Sequence, residues 1–156
     1  MLDQAAATSY RALRVLLIED SAVLRSMLLE YLNAFSFVES VDWADTESAA
    51  IRLLERGTYE VVIVDLQLRQ GNGINVLRAM QKSEVSGIRI VYTNHAQVST
   101  YRRQCAEAGA DYFFDKSLEL EQVFRVIEEH AQSRIEGPVF YRSGTLPQQH
   151  HARRLT

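Results

Sequence analysis

From Arg14 onward the chain repeats one pattern five times: a short run of apolar residues, then a longer segment in which apolar residues recur every three or four positions. Few folds accommodate that alternation. A run such as Val15-Leu16-Leu17-Ile18, apolar at consecutive positions, suits a strand covered on both faces, and such strands are parallel and joined by crossover helices. The helix that follows carries Val23, Leu24, Met27, Leu28, Tyr31 and Leu32 as a core-facing stripe. A second strand is predicted near Phe37 to Trp43, then a helix from about Thr46 with Ala49, Ala50, Leu53 and Leu54 on one face, stopped by Gly57. Tyr59 to Val64 reads as the third strand. After the turn Gly71-Asn72-Gly73 comes a short helix with Ile74, Val76, Leu77 and Met80, and then a fourth strand, Ile88 to Tyr92. The segment Gln97 to Ala108 is mostly polar, so its helix has only a thin packing stripe near Tyr101, Cys105 and Ala108. Gly109 stops it, and Asp111 to Phe114 gives the fifth strand. Ser117 is the expected N-cap of a last helix carrying Leu120, Val123, Phe124 and Ile127. Five strands alternating with five helices predict an α/β fold, a doubly wound five-stranded parallel sheet flanked by five helices.

Length sets the domain plan. The 156 residues fit one domain with chain to spare, read as an N-terminal extension over 1–12, a domain over 13–135 and an unfolded tail over 136–156 that opens with Gly137-Pro138. A net charge of −3 argues against nucleic acid or an anionic membrane as partner, since either needs a basic surface. The tail alone is basic, through Arg142, Arg153 and Arg154, and is read as solvated. With Cys105 as the single cysteine no intrachain disulfide can form. The start of the chain does not read as a signal peptide and no apolar run reaches the ~20 residues of a membrane span, so the expected location is cytoplasmic.

The chemistry gathers at the predicted strand ends. Glu19 and Asp20 follow the first strand, Asp65 ends the third, Thr93 ends the fourth and Lys116 lies just past the fifth. In a doubly wound sheet these ends share one edge, so three carboxylates, a hydroxyl and an ammonium converge. Carboxylates packed that closely repel unless a cation sits among them, and hard oxygen ligands that leave room for water suit Mg²⁺. With the incoming charge neutralised, the Asp65 carboxylate is a competent nucleophile toward a phosphoryl group, and Lys116 and Thr93 can hold its other oxygens.

The stretch from about Leu13 to Arg134 resembles the receiver domains of bacterial two-component response regulators, in particular stand-alone, chemotaxis-regulator-like ones. The motifs are Leu16-Leu17-Ile18-Glu19-Asp20, Val62-Ile63-Val64-Asp65-Leu66-Gln67-Leu68 leading to Gly71-Asn72-Gly73, Val91-Tyr92-Thr93, and Gly109-Ala110-Asp111-Tyr112-Phe113-Phe114-Asp115-Lys116. The resemblance implies a flavodoxin-like fold in which Asp65 is phosphorylated and Thr93 and Lys116 assist. It implies that Asp20 binds Mg²⁺ directly, that Glu19 reaches it often through water, and that the Gln67 backbone carbonyl is another ligand. Thr93 and Phe113 would form the switch pair, and Gln67 and His95 would tune the lifetime of the phosphoryl group. The implied activity is that of a signalling switch, limited to Mg²⁺-dependent self-phosphorylation and slow autodephosphorylation. The implied partners are a sensor histidine kinase or histidine phosphotransfer protein upstream and an unidentified protein downstream. A homodimer through the face of the fourth helix, fifth strand and fifth helix is compatible with the same reading.

Four positions depart from the pattern. Phe113 has no hydroxyl where many relatives have tyrosine. Ser117 replaces the proline after the lysine, so a trans bond is expected there, because cis costs about 2.5–4 kcal/mol before a non-proline residue. Arg69 replaces a common proline, which would loosen its loop, and Asn94 is larger than the usual residue after Thr93 and could crowd the phosphoryl pocket. A second reading, from another class, is a pseudo-receiver acting as a phosphorylation-independent interaction module; the intact acidic pair, Asp65, Thr93 and Lys116 argue against it. A phosphatase with an aspartate nucleophile would show Asp-x-Asp where Asp65-Leu66-Gln67 stands, and no glycine-rich phosphate loop follows the first strand.

Overall fold

A computed structural model describes residues 12–133, with residues 95–98 and 133 as backbone alone. The expected N-terminal extension, Ala12 aside, and the expected tail over 136–156 fall outside the described residues. The elements run β1 (Leu13–Ile18), α1 (Ala22–Ala34), β2 (Val38–Ala44), α2 (Glu47–Arg56), β3 (Val61–Val64), α3 (Gly73–Lys82), β4 (Ile88–Thr93), α4 (His95–Glu107), β5 (Tyr112–Asp115) and α5 (Leu120–Ser133). All five strands are parallel, in the order β2-β1-β3-β4-β5. The predicted doubly wound α/β fold is therefore the observed one. From β1 the chain winds outward first to β2 and then, through β3, the other way, so the crevice of such a sheet opens beyond β1 and β3.

Alternation along each strand sends successive side chains into two apolar layers. Leu16, Ile18, Val62, Val64, Val91 and Phe113 pack on one face with Ala50 of α2, Leu77 and Met80 of α3 and Cys105 of α4. Val15, Leu17, Val61, Ile63, Ile90 and Phe114 pack on the other with Leu28 and Leu32 of α1 and Val123 and Ile127 of α5. Both faces of the three central strands are covered, which is why their sequences are apolar apart from Arg14 and Arg89 near the strand starts and Thr93 at the end of β4. The edge strand β2 has exposed residues along it instead.

Two local expectations are corrected. The core stripe of α1 is narrower than six residues: Leu28 and Leu32 are fully buried, but Val23 is 85% exposed and Tyr31 51%. Val23, five residues before Leu28, lies about 140° round the helix from it, too far to reach the sheet. Tyr31 lies beside the ring of Phe124, at 5.7 Å between centroids. Ser117 does not cap the last helix. It sits in a turn, where its backbone N–H and hydroxyl both donate to Asp115 Oδ1, at 2.8 and 2.6 Å, and α5 begins three residues later. The thin stripe of α4 is as predicted, with Cys105 and Ala108 buried and Tyr101 half-buried. The helix starts two residues earlier than expected, at His95. No peptide bond among the described residues is cis, including the one before Ser117.

Candidate functional site

Parallel pairing carries the strand ends together before any side chain acts. Beyond the last paired residues, Glu19 N–H donates to the Ala44 carbonyl at 3.0 Å, Asp65 N–H to Ile18 at 3.0 Å and Lys116 N–H to Thr93 at 2.8 Å. These bonds extend the ladder by one residue and set Glu19, Asp65, Thr93 and Lys116 side by side along one edge. Glu19, Asp65 and Thr93 are buried there, Asp20 is half-buried, and Lys116 reaches in from β5 with 11% of its side chain exposed.

The side chains form a single network. Lys116 Nζ lies 2.7 Å from Asp65 Oδ2 and 2.7 Å from Glu19 Oε2. Thr93 Oγ1 donates to Asp65 Oδ1 at 3.2 Å, and the backbone N–H of Gln67 donates to the same oxygen at 3.3 Å. Burial pushes the Glu19 carboxyl above its ordinary value of 4.5, the Asp65 charge adds to that, and Lys116 offsets part of it. For Lys116 burial by itself favours the neutral amine, but the hydrogen bonds and charges of Asp65 and Glu19 outweigh it and hold the ammonium above its ordinary value. Lys116 is thus a fixed positive charge. One oxygen from each of Glu19, Asp20 and Asp65 lies within 4.8 Å of the others, a grouping that could hold a metal ion. Three carboxylates against one ammonium leave two negative charges, which with an all-oxygen donor set favours a hard divalent cation.

A cleft of about 600 Å³ opens beside this network, lined at its acidic end by Asp20 and Gln67 and further out by Ile74 and Arg78 of α3 and Tyr101 of α4. Gln67, an exposed loop residue, brings its backbone to Asp65, while its side chain faces outward. Asn94 is exposed at the start of α4 and makes no side-chain cap bond. His95 opens α4, and its side chain lies outside the described atoms. Phe113 is 3% exposed in the layer shared with Tyr101 and Cys105, whereas Tyr112 packs on the opposite face, as pleat alternation requires. Arg69 forms an exposed ion pair with Asp45 at 3.0 Å, a contact of about 0–1 kcal/mol that ties its loop rather than loosening it.

Several residues that support the site carry no sequence signal of that role. Arg25 Nη1 donates to the Glu19 carbonyl at 3.0 Å while its guanidinium lies 4.0 Å over the ring of Trp43. Tyr92 donates to the Lys116 carbonyl at 3.2 Å, its hydroxyl pushed up to about 12 by burial and by the Glu19 and Asp115 charges. Asp115, buried, holds the turn at Ser117 that follows the lysine. Arg25 on Trp43 and Tyr92 under the Lys116 carbonyl are contacts between separate elements, which only their packing reveals.

Residues 15–128 match the family model described as the response regulator receiver domain. Over 105 residues, 67% of this chain, the sequence is 29% identical to the protein-glutamate methylesterase/protein-glutamine glutaminase of Treponema denticola. Over 80 residues, 51% of this chain, it is 31% identical to the DNA-binding transcriptional activator EvgA of Escherichia coli K12. The chain spans 28% of the methylesterase and 39% of the activator. Among solved structures it is similar to the receiver domain of the histidine kinase CKI1 from Arabidopsis thaliana, a complex with Mg²⁺ and BeF₃⁻. That likeness has a TM-score of 0.64 and 26% identity and covers 77% of this chain and 92% of that one.

Proposed function

The chain belongs to the response regulator receiver domain family, and from that premise we propose that Asp65 accepts a phosphoryl group from a histidine kinase or a histidine phosphotransfer protein, with Mg²⁺ held beside it. The observation that carries this reading is the state of Asp65: a buried carboxylate held at one oxygen by Lys116 and at the other by Thr93, with Asp20 and Gln67 beside it lining a cleft. A carboxylate oxygen of Asp65 attacks phosphorus, the P–N bond of the phosphohistidine breaks, and its electron pair returns to the imidazole. Lys116 and Thr93 then turn their bonds from the carboxylate to the phosphoryl oxygens. Both donors are already within reach, so the step needs small rotations and no new group.

Mg²⁺ fits the carboxylate set of Glu19, Asp20 and Asp65, to which the Gln67 carbonyl would add a fourth oxygen, and when bound it supplies neutralisation of the incoming phosphoryl charge. The Mg²⁺ and BeF₃⁻ bound by the similar receiver of CKI1 support the assignment. The Gln67 and His95 side chains, two residues past Asp65 and Thr93, set how fast water removes the phosphoryl group.

The signal leaves through Phe113 and α4. As Thr93 turns toward the phosphoryl group, Phe113 repacks in the layer it shares with Tyr101 and Cys105, and the α4, β5 and α5 face changes for a downstream protein or a second copy. Upstream, Val23 and Leu118 are exposed apolar residues at 85% and 75%, three residues past Asp20 and two past Lys116, and they offer the donor an apolar contact at the rim. Among the described residues no helix is long and apolar enough to cross a membrane. A cytoplasmic receiver is part of this proposal.

The test is to incubate the wild-type chain and Asp65→Asn with acetyl phosphate and Mg²⁺ and read intact mass. A labile phosphoryl adduct on wild type and none on the variant is expected. No adduct on wild type, where a control receiver labels, overturns the reading, and equal labelling of Asp65→Asn moves the acceptor elsewhere.

A further inference from the structure

The loop from Leu66 to Asn72, between β3 and α3, is held from two sides. On one side it is tied to Asp65. Gly73 N–H donates to the Leu66 carbonyl at 3.0 Å, and the Gln67 N–H donates to the Asp65 carboxylate. The approach is so close that a Cβ on Gly73 would stand 2.2 Å from the Asp65 carbonyl oxygen. On the other side it is tied to the first residue of α2. Glu47 Oε2 accepts from the Asn72 N–H at 3.0 Å and from the Asn75 side-chain amide at 3.3 Å, while the Glu47 N–H donates to the Gln70 carbonyl at 3.0 Å. Asn72 in turn caps α3 by accepting from Asn75 N–H at 2.9 Å, and it pairs across the loop with Gln67. Gly71, at φ +77°, makes room for the carboxylate: a Cβ there would stand 2.2 Å from Glu47 Oε2.

A continuous chain of contacts therefore runs from Glu47 through Asn72 and Gln67 to Asp65. Asn72 and Gln67 are the only pair that closes the loop on itself as an isolated bridge among the described residues, so whatever fixes Asn72 fixes where Gln67 presents its backbone. Glu47 belongs to α2, on the other side of the loop from the acceptor, and it is half-buried. Its carboxylate satisfies two donors at once, more than the exposed Arg69–Asp45 pair can contribute to the same loop.

We propose that Glu47 is a positioning residue for phosphoryl transfer at Asp65, acting through Asn72 to hold the Gln67 backbone where it meets the Asp65 carboxylate and the metal. This rests on the reading of Asp65 as acceptor and of the Gln67 carbonyl as a ligand. An outer partner of a metal ligand commonly contributes 10- to 100-fold in affinity, so the lower end of that range is expected here.

The experiment compares the wild-type chain with Glu47→Ala and Glu47→Gln. Mg²⁺ alone is titrated against the amide shifts of Gln67 and Asn72, and acetyl phosphate labelling is timed by intact mass. Glu47→Ala is expected to weaken Mg²⁺ binding about tenfold and to slow labelling in proportion. Glu47→Gln keeps an acceptor for the Asn72 N–H without the charge and is expected to stay within about threefold of wild type on both readouts. A purely structural role would lower the melting temperature of Glu47→Ala with Mg²⁺ affinity unchanged, and that result overturns the proposal. Equal losses in the two variants overturn it also, because they would mean that Glu47 acts by charge and not by its hydrogen bonds. If Glu47→Ala does not fold, Glu47→Asp, whose shorter side chain withdraws the acceptor from the Asn72 N–H, takes its place with the same tenfold loss expected, and unchanged Mg²⁺ affinity in it overturns the proposal. A wild-type chain that binds no Mg²⁺ and takes no label fails the reading of Asp65 itself, which separates the two failures.

Discussion

Glu19 and Asp20 are neighbours in sequence but occupy different surroundings: Glu19 is buried against Lys116, and Asp20 is half-buried at the cleft. Burial raises the Glu19 pKa above 4.5, so the folded chain binds that proton more tightly than the unfolded chain does. Stability from this group is therefore full below pH 4.5 and is lost as pH rises through the higher folded value. Thermal unfolding in chelator should show Glu19→Gln gaining on wild type between pH 4.5 and neutrality. A gap that stays constant over that range would refute the assignment of Glu19 as the strained member of the pair. The identities of Glu19, Asp20, Asp65, Thr93 and Lys116 were all readable at strand ends, because a residue that follows an apolar run must surface at the sheet edge. Which of the two acids would be buried was not readable. That depends on Ser21, whose N–H donates to Glu19 Oε1 at 3.0 Å, and on Lys116, 97 positions along the chain.

At the level of elements, α1 and β2 are joined across the acidic loop by Arg25, which grips the Glu19 carbonyl and stacks on Trp43. A cation over an indole contributes about 0.5–1 kcal/mol at such a half-exposed position, enough to orient the guanidinium. Trp43 is the single tryptophan of the chain, so its emission reports this junction alone. Titrating Mg²⁺ should change Trp43 fluorescence as the loop at Glu19 and Asp20 closes on the ion, and Arg25→Ala should reduce the amplitude by about half or more while the midpoint stays within a few-fold. An undiminished amplitude in Arg25→Ala would sever Trp43 from the site. The periodicity of α2, α3 and α5 is sufficient to place those helices, yet the buried face of α1 is narrower than its apolar stripe, since a stripe of apolar residues does not say how much of it the sheet can cover. The start of α5, at Leu120, also lies beyond the residue whose chemistry suggests a cap. Ser117 has the chemistry of a cap, but Asp115 is closer and takes its hydroxyl into a turn instead.

For the molecule as a whole, the acidic edge is a local cost that the two apolar layers offset. Three carboxylates confined within a few ångströms disfavour the folded state until a cation joins them, and a ligand that binds only the folded chain stabilises it by mass action. Mg²⁺ at ten times its dissociation constant should add roughly 1.4 kcal/mol and raise the melting temperature by about 5 °C. The same addition to Asp20→Ala should do little, and an equal rise in both would place the ion elsewhere. What the sequence determined by itself was the architecture and the meeting of Glu19, Asp20, Asp65, Thr93 and Lys116 at one edge, because hydrophobic periodicity is a local property and strand ends must gather at one edge of a parallel sheet. What only the tertiary structure decided was how those groups share one another: Lys116 between two carboxylates, Tyr92 under its carbonyl, Arg25 on Trp43, and Glu47 holding the loop that faces Asp65. Each of these is a contact between elements far apart in the chain, set by strand order and helix packing, and no spacing along a sequence encodes the few tenths of an ångström on which a hydrogen bond depends.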